Sequence, residues 1–260
     1  MAVICVTWNV NSLRARLDRV GEFLEQVKPD LLLLQETKCS PEQFPHDAIA
    51  EFGYKAVDVS GGRWCGVAAL APSESDLTLL GSGLPGQPNP DEARWLEVRI
   101  GDLTAVSVYV PNGREVGTEH FDAKIEFLGV AAKRASELAG SGPLLIAGDM
   151  NVAPRDIDVW DTAALEGSTH VTPLERSALT AVAAAGDLVD AHDALLGIDD
   201  VQFTWWDYRG GSFHRGFGMR IDHFLISADL AEKLDDCSVV RDFRKGEKPS
   251  DHVPLLVHFS

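Results

Sequence analysis

Short runs of mostly apolar residues recur along the chain, and most of them end in an acid or an amide. Six such runs are residues 3–10, 31–34, 103–110, 143–148, 220–227 and 253–259. Apolar residues at successive positions are typical of strands that are covered on both faces, whereas half-exposed strands alternate apolar and polar residues. The pattern therefore predicts several buried strands, each of which delivers polar side chains at one end.

Two further segments are expected to form hairpins. Residues 54–60 and 65–71 are strand-like on either side of Gly61-Gly62. Residues 96–100 alternate and then meet a turn sequence at Gly101-Asp102, after which the run at 103–110 returns. Glycine and aspartate in such short connections favour tight turns between antiparallel strands.

Three segments have the spacing of helices. A helix capped by Ser12 is expected to end at Lys28-Pro29, and a second covers about residues 118–139. Residues 172–175 combine a capping box with proline at the first helical position, and the helix after them stops at Gly186.

Hairpins and strand–helix–strand connections occur together, which favours two packed mixed β-sheets with helices outside, an α/β fold. Residues 81–91 are interpreted as a loop, and no segment is long and flexible enough to separate domains, so residues 1–260 are expected to form one domain. The sequence contains neither GxGxxG after the first strand nor GxxxxGK[ST], which argues against a glycine-rich nucleotide cradle.

Composition limits the class of protein and the cellular compartment that can be expected. The 260 residues are 45% hydrophobic, an ordinary value for a globular protein. No apolar stretch approaches the roughly 18 residues that span a bilayer, and the N-terminus lacks the pattern of a secretory signal. The cysteines are scattered without a CxxC motif. We therefore expect a cytoplasmic monomer without a membrane partner and without a zinc site.

The net charge of −17 argues against a polyanionic partner when it is taken alone. Two segments are more basic than the chain as a whole. Residues 208–221 contain three arginines, including Arg209 and Arg220, with one histidine and no acid, and residues 11–20 contain three arginines against one acid. These segments either offset the charge locally or are ordinary solvated surface.

Glu36 comes directly after a buried strand, and a carboxylate there is costly unless a cation or hydrogen bonds satisfy it. Mg²⁺ binds few protein carboxylates and keeps several waters, so one glutamate with neighbouring amides suits it. Asn9 and Asn11 are spaced i, i+2 and face the same way on a strand, which places two amides beside that acid. The alternatives are a loop-capping role for Glu36 and a turn role for Asn11.

Asp149 and Asn151 show the same spacing after the run at 143–148. The Asn151 amide could orient the Asp149 carboxylate, which could then activate a water molecule. An Asx turn at these two residues is the competing interpretation.

His252 stands beside Asp251 at the start of the last strand, and Asp222 on the strand before could orient it. A histidine with such partners is suited to hold a phosphate, while the absence of GxSxG argues against a serine nucleophile. Tyr109 and Asn112 lie at the end of another buried run and could bind phosphate oxygens, although Tyr109 could equally be a core residue.

Residues 203–209 form an aromatic cluster, Phe-Thr-Trp-Trp-Asp-Tyr-Arg, that leads into the basic segment. Flat apolar side chains beside arginines suit an unstacked base or sugar of a nucleic acid. We expect at least one of Trp205 and Trp206 to belong to the core instead.

Together these motifs closely resemble the exonuclease III family of apurinic/apyrimidinic endonucleases, within the endonuclease/exonuclease/phosphatase superfamily. The resemblance covers nearly the whole chain, in the family's order. Its most specific segments are residues 29–38 (PDLLLLQETK), 148–154 (GDMNVAP) with 156–158 (DID), 205–209 (WWDYR), 218–223 (GMRIDH) and 250–252 (SDH).

The resemblance implies a four-layer α/β sandwich with the site at one edge of the paired sheets. It implies that Glu36 binds Mg²⁺, with Mn²⁺ as an alternative ion, near Asn9 and Asn11 and with the help of Asp251. It also implies that Asp149, held by Asn151, acts on the attacking water. The remaining implied roles are phosphate contacts for Tyr109, Asn112 and His252, orientation of His252 by Asp222, and substrate contacts for Trp205, Arg209, Met219, Arg220 and Ile221.

The implied function is a DNA repair phosphodiesterase that cuts double-stranded DNA 5′ to abasic sites and trims or cleans 3′ ends. The acidic net charge leaves open a relative that hydrolyses lipid, inositol or nucleotide phosphates. A DNA-binding module without catalysis is the third interpretation, against which the intact acids and His252 argue.

Overall fold

The computed structural model describes residues 3–260, which form fourteen strands and seven α-helices. The strands are β1 (Val3–Asn9), β2 (Leu31–Gln35), β3 (Tyr54–Val59), β4 (Val67–Pro72), β5 (Leu77–Ser82), β6 (Trp95–Ile100), β7 (Leu103–Tyr109), β8 (Leu144–Asp149), β9 (Leu188–Asp190), β10 (Trp205–Trp206), β11 (Gly218–Met219), β12 (Asp222–Ser227), β13 (Leu234–Val239) and β14 (Leu255–Phe259). The helices are α1 (Leu17–Val27), α2 (His46–Glu51), α3 (Glu119–Leu138), α4 (Pro173–Ala185), α5 (Ala191–Leu196), α6 (Ser212–Arg215) and α7 (Ala228–Ala231).

Twelve of the strands form two six-stranded sheets, with the orders β13-β14-β1-β2-β4-β3 and β5-β6-β7-β8-β12-β9. In each sheet one central pair is parallel, β1 with β2 and β7 with β8. The other neighbours are antiparallel. Both sheets are therefore mixed, as the sequence predicts.

The alternation of side chains along β1 and β2 explains why the sheets stack. Cys5, Leu31 and Leu33 point into the core between the two sheets, whereas Leu32 and Leu34 point to the other face, which α1 and α2 cover. Helices α3 and α4 cover the outer face of the second sheet in the same way. The four-layer α/β sandwich is confirmed, because each buried strand has apolar neighbours on both faces.

Several predicted elements are confirmed, among them both hairpins and the helices α3 and α4. The capping box of α4 is present, with the Thr172 hydroxyl accepting from the Glu175 backbone and the Glu175 carboxylate accepting from the Thr172 backbone. Trp206 is a core residue that is 2% exposed, whereas Trp205 is only partly buried.

The prediction that Ser12 caps the first helix is wrong, because α1 begins only at Leu17. The backbone amides of Ser12 and Leu13 instead donate to the carbonyls of Glu36 and Thr37. Pairing with the segment after β2 therefore replaces helical hydrogen bonds here, and Ser12 takes a φ of 91°.

The edge strands β5, β9 and β13 are not among the predicted elements, and the loop expected at residues 81–91 begins inside β5. Edge strands lie half exposed and lack a continuous apolar run, so their pattern resembles that of loops. On α3 the buried face includes Lys124 and Phe127, while Ile125 is only partly buried.

Among residues 3–260, no helix combines the length and apolar character required to cross a bilayer. All four cysteines lie in this range, where they are buried and form no disulfide.

Candidate active site

The polar ends of the central strands meet at one edge of the sandwich. In the parallel pair β1–β2, Asn9 lies opposite Gln35, so Glu36 emerges next to Asn9. In the parallel pair β7–β8, Tyr109 lies opposite Asp149, and Asp222 at the start of antiparallel β12 is also opposite Asp149. Parallel strands end at the same edge of a sheet, which is why side chains distant in sequence converge here.

Left-handed backbone conformations are concentrated at these strand ends. Asn11, Glu36, Lys38 and Asn151 have φ values of 43°, 51°, 52° and 51°. Such conformations cost free energy for residues other than glycine and occur mainly at functional sites. They turn the chain sharply, so that successive side chains face the cleft and not the two sides of a strand.

Asn9 joins the two sheets at the centre of the site. Its Nδ2 donates to Oε1 of Glu36 at 2.8 Å and to Oδ2 of Asp149 at 2.9 Å. The amide is fully buried, and its own Oδ1 accepts from the backbone of Asn11. Asn9 therefore fixes the spacing between an acid of the first sheet and an acid of the second.

Asp149 is a buried carboxylate with unusual protonation. Burial raises its pKa to about 7, although nearby His252 lowers it, and the charges of Asp222 and Glu36 raise it further. Its Oδ1 accepts from the backbone N–H of Asn151 at 2.9 Å. Asn9 and the backbone of Asn151, in an Asx turn, therefore orient Asp149, and not the Asn151 side-chain amide that the sequence favours.

The Asn151 side chain faces Asn112 instead. Its Nδ2 donates to the Val110 carbonyl at 2.9 Å, and its Oδ1 accepts from Nδ2 of Asn112 at 3.2 Å. Asn112 itself is exposed at the edge of the cleft. The two amides form a linked pair beside Asp149.

His252 bonds to Asp222 on one side and faces Asp149 on the other. Its Nδ1 lies 2.8 Å from Oδ2 of Asp222, and its Nε2 lies 3.7 Å from Oδ2 of Asp149. Burial alone would lower the pKa of His252, but the carboxylates of Asp222 and Asp149 outweigh it and raise the pKa to about 10. The ring is therefore a cation at neutral pH, held between two acids.

Tyr109 closes the cleft from the β7 side. Burial raises the pKa of its phenol well above the usual range, Glu36 adds to this effect, and the Arg94 guanidinium works against it. Arg94 lies over the ring, 4.5 Å from the centroid. The phenol stays protonated and can donate a hydrogen bond.

Two features show that acceptor oxygens of the site are available to a cation. Lys38 places its ammonium 2.7 Å from Oε2 of Glu36 and 2.6 Å from Oδ1 of Asn11, so these two oxygens already face a shared positive charge. Oδ1 of Asp222 is buried and has no hydrogen-bond partner among residues 3–260. Buried acceptors of this kind require a cation or water.

The acids fall into two adjoining groups. Glu36 and Asn9 lie with Asp149, while Asp251 accepts from Asn11 at 3.0 Å and from the Trp205 indole at 3.1 Å. Ligand atoms of Asp149, Asp222 and His252 also lie within 4.8 Å of one another. Because His252 is protonated and bonded to Asp222, only the two carboxylates of this trio could face a metal.

Three residues that have no predicted role at the site, Lys124, His170 and Glu175, nevertheless support it. Lys124 is buried, forms an ion pair with Glu175 and donates to the Asn151 carbonyl at 2.6 Å. His170 lies at the same carbonyl, with Nδ1 at 2.5 Å, and its Nε2 is 3.4 Å from the Asn112 amide. The sequence feature that could have revealed this role is the position of Lys124, a lysine on the otherwise apolar face of α3.

A cavity of about 550 Å³ opens beside this cluster and is partly lined by His170, Trp205 and Met219. Ile221 lies behind it, in an apolar group with Ala153 and Met219. The side chains expected to enclose a substrate group are therefore neighbours.

The two arginines that are predicted to contact the substrate, Arg209 and Arg220, differ in their exposure. Arg220 is 2% exposed and lies between Asp158 and Asp190, each 2.7 Å away. The substrate contact predicted for Arg220 is corrected accordingly, since a buried guanidinium that is saturated by acids cannot reach a ligand. Arg209 is almost fully exposed and is paired with Asp207 at 2.7 Å.

Comparisons with known proteins show which family this chain resembles in sequence and fold. The Endonuclease/Exonuclease/phosphatase family matches residues 6–252. Exodeoxyribonuclease III of Haemophilus influenzae is 32% identical over 98% of both chains. Two solved structures superpose with a TM-score of 0.93 over 99% of both chains, an AP endonuclease from Archaeoglobus fulgidus at 32% identity and a 3′ phosphatase from Neisseria bound to a product DNA hairpin at 31% identity. This chain therefore belongs to the endonuclease/exonuclease/phosphatase family.

Proposed function

We propose that this protein is a Mg²⁺-dependent DNA repair nuclease that hydrolyses the bond between a 3′ oxygen and phosphorus in double-stranded DNA. The bond lies 5′ to an abasic site, or joins a 3′-terminal group to the strand, and hydrolysis leaves a 3′ hydroxyl. The observation that carries this proposal is the buried arrangement of Asp149 and a cationic His252, 3.7 Å apart, beside linked amides.

Asp149 receives the proton of the attacking water. Its pKa of about 7 is close to the neutral range in which a general base works best. The new bond forms between the water oxygen and phosphorus, the bond to the 3′ oxygen breaks, and a proton is returned to that oxygen. Asn9 and the Asn151 backbone hold the carboxylate in place throughout.

His252, Tyr109 and Asn112 stabilise the charge that grows on the phosphate oxygens. His252 donates from Nε2, because Nδ1 is committed to Asp222. Tyr109 donates a hydrogen bond from its phenol, which stays protonated because its pKa is raised. Fixed donors of this kind, aimed at developing charge, usually make the largest contribution to catalysis.

Glu36 is the principal residue that would hold Mg²⁺, with Asn9, Asn11 and Asp251 near it and with Mn²⁺ as an alternative ion. When bound, the ion neutralises negative charge on the phosphate and favours departure of the 3′ oxygen. Lys38 must then leave the position between Glu36 and Asn11 that it now occupies.

DNA is the expected partner despite the net charge of −17. The charge is unevenly distributed along the chain, since residues 208–221, which follow the aromatic cluster, contain three arginines, one histidine and no acid. The whole chain is expected to act as one catalytic domain and as a monomer in the cytoplasm.

The test uses a duplex with one abasic analogue, a recessed duplex and a duplex ending in a 3′ phosphate, each with Mg²⁺ or with EDTA. We expect Mg²⁺-dependent incision or end removal, and we expect Asp149→Asn and His252→Asn to abolish it while the circular dichroism spectrum is preserved. Hydrolysis of sphingomyelin, inositol phosphates or mononucleotides, with all three DNA duplexes left intact, would favour the other branches of the family instead.

A further inference from the structure

An aromatic pair lines the cavity that lies beside the candidate active site. The rings of Trp160 and Phe217 stack at a centroid distance of 4.0 Å and an angle of 21°. The guanidinium of Arg215 lies over the Phe217 ring at 4.1 Å. Trp160 is 36% exposed, so this large apolar ring is not fully covered by the protein.

The pair is held rigidly. The backbone N–H of Trp160 donates to the Gly218 carbonyl at 3.1 Å, and the preceding residue, Val159, forms a β-bridge with Met219. These contacts join the two chain segments that carry the stacked rings. A rigid surface loses little conformational entropy when a ligand binds to it.

The cavity that Trp160 and Phe217 line is also lined by two neighbours of the reaction centre. One is Trp205, whose indole donates to Asp251, and the other is His170, whose Nε2 lies 3.4 Å from the Asn112 amide. The aromatic pair and the reaction centre therefore adjoin the same cavity. Arg114 and Glu115 both line the cavity and offset each other in charge, and Asp207 in the lining is paired with Arg209.

We propose that Trp160, backed by Phe217, forms a stacking subsite for the nucleobase of the nucleotide on the 3′ side of the scissile phosphate. This inference rests on the proposed function and names the substrate that the same site favours, a 3′-terminal nucleotide whose base is unpaired. Flat aromatic surfaces with an arginine nearby are suited to unstacked bases, since every base has a π-face. An abasic sugar has no such face and would use only the inner part of the cavity.

Three substrates isolate this contact, because they share the scissile bond and differ in the group on its 3′ side. The first ends in a mismatched 3′ nucleotide, the second carries an abasic analogue at that position, and the third ends in a 3′ phosphate. Only the first has a base that could reach Trp160. The matched variants are Trp160→Leu, which fills space without a π-face, and Trp160→Phe, which keeps an aromatic ring.

We expect Trp160→Leu to lower kcat/KM for the mismatched nucleotide by roughly tenfold, in line with the usual value of one base–aromatic contact. Removal of the 3′ phosphate should stay within about twofold of wild type, and Trp160→Phe should restore most of the loss. A 2-aminopurine base at the mismatched end should lose fluorescence on binding to Asp149→Asn protein without metal, and this loss should vanish in Asp149→Asn/Trp160→Leu.

An equal loss on all three substrates, or no loss on any, would overturn the stacking subsite. Retained quenching in the double variant would do the same. The cleavage results require that wild-type protein cleaves at least one of the three DNA substrates, which is itself the test of the proposed function, whereas the quenching result is read on uncleaved DNA and does not depend on it. The two proposals can therefore fail separately.

Discussion

Nδ1 of His252 lies 2.8 Å from Oδ2 of Asp222, and both side chains are buried at the base of the cleft. A carboxylate can only accept, so Nδ1 carries the proton and Nε2 is directed toward Asp149. The acid thereby fixes both the orientation of the ring and its positive charge at neutral pH.

Asp222→Asn should reduce kcat by about 10²- to 10⁴-fold, because the orienting acid of a catalytic histidine has effects of this size. The amide keeps the shape of the side chain but removes the charge that raises the pKa of His252. Single-turnover cleavage of an abasic duplex measures the effect. Asp102→Asn, in the exposed turn after β6, is the control and should be indistinguishable from wild type.

Glu36→Gln should raise the Mg²⁺ concentration needed for half-maximal activity by about tenfold or more, since changes to the ligands of a metal site and to their partners commonly cost about 10- to 100-fold in affinity. A Mg²⁺ titration of the initial rate measures this shift. Glu126→Gln, on the exposed face of α3, serves as the control. An unchanged Mg²⁺ requirement in Glu36→Gln would remove Glu36 from the metal site.

Asp149 should titrate near neutral pH in the metal-free protein, since burial raises its pKa to about 7. Its ionised, proton-accepting form therefore increases as the pH rises through that value. His252→Asn removes a cation that lowers the Asp149 pKa, so the midpoint should move upward in that variant. Mg²⁺ should move it downward, because a bound cation favours the carboxylate. Carboxyl ¹³C NMR measures all three midpoints, and a midpoint near the ordinary aspartate value of about 4 in the metal-free wild type would contradict the assignment.

Lys124→Met should destabilise the fold by about 3–5 kcal/mol, because it leaves the Glu175 carboxylate buried without its partner. The double change Lys124→Met/Glu175→Gln removes both charges and should recover part of that loss. Urea denaturation measures the free energy of unfolding of each variant. Losses that simply add would show that the two side chains act independently.

The sequence alone predicted the strands whose two faces are both buried, such as β1, β2 and β8, because a strand with helices on one face and a second sheet on the other must be apolar at every position. It also predicted hairpins and helices whose capping or turn chemistry is local, as at Thr172 and Glu175. It failed at Ser12, where pairing with the chain after β2 outweighs a local capping signal. It failed too at the edge strands β5, β9 and β13, whose half-exposed residues carry little pattern, although it predicted the edge strand β3.

The composition of the site was likewise visible in the sequence, because acids and amides at strand ends have no other apparent partner. Which of them touch was decided only by tertiary structure. The backbone of Asn151, and not its amide, orients Asp149, and Arg220 lies in a buried ion pair and not against a ligand. The physical reason is that hydrogen bonds and ion pairs depend on distances of a few ångströms between residues up to about 240 positions apart, such as Asn11 and Asp251, and these distances are fixed by how the two sheets pack.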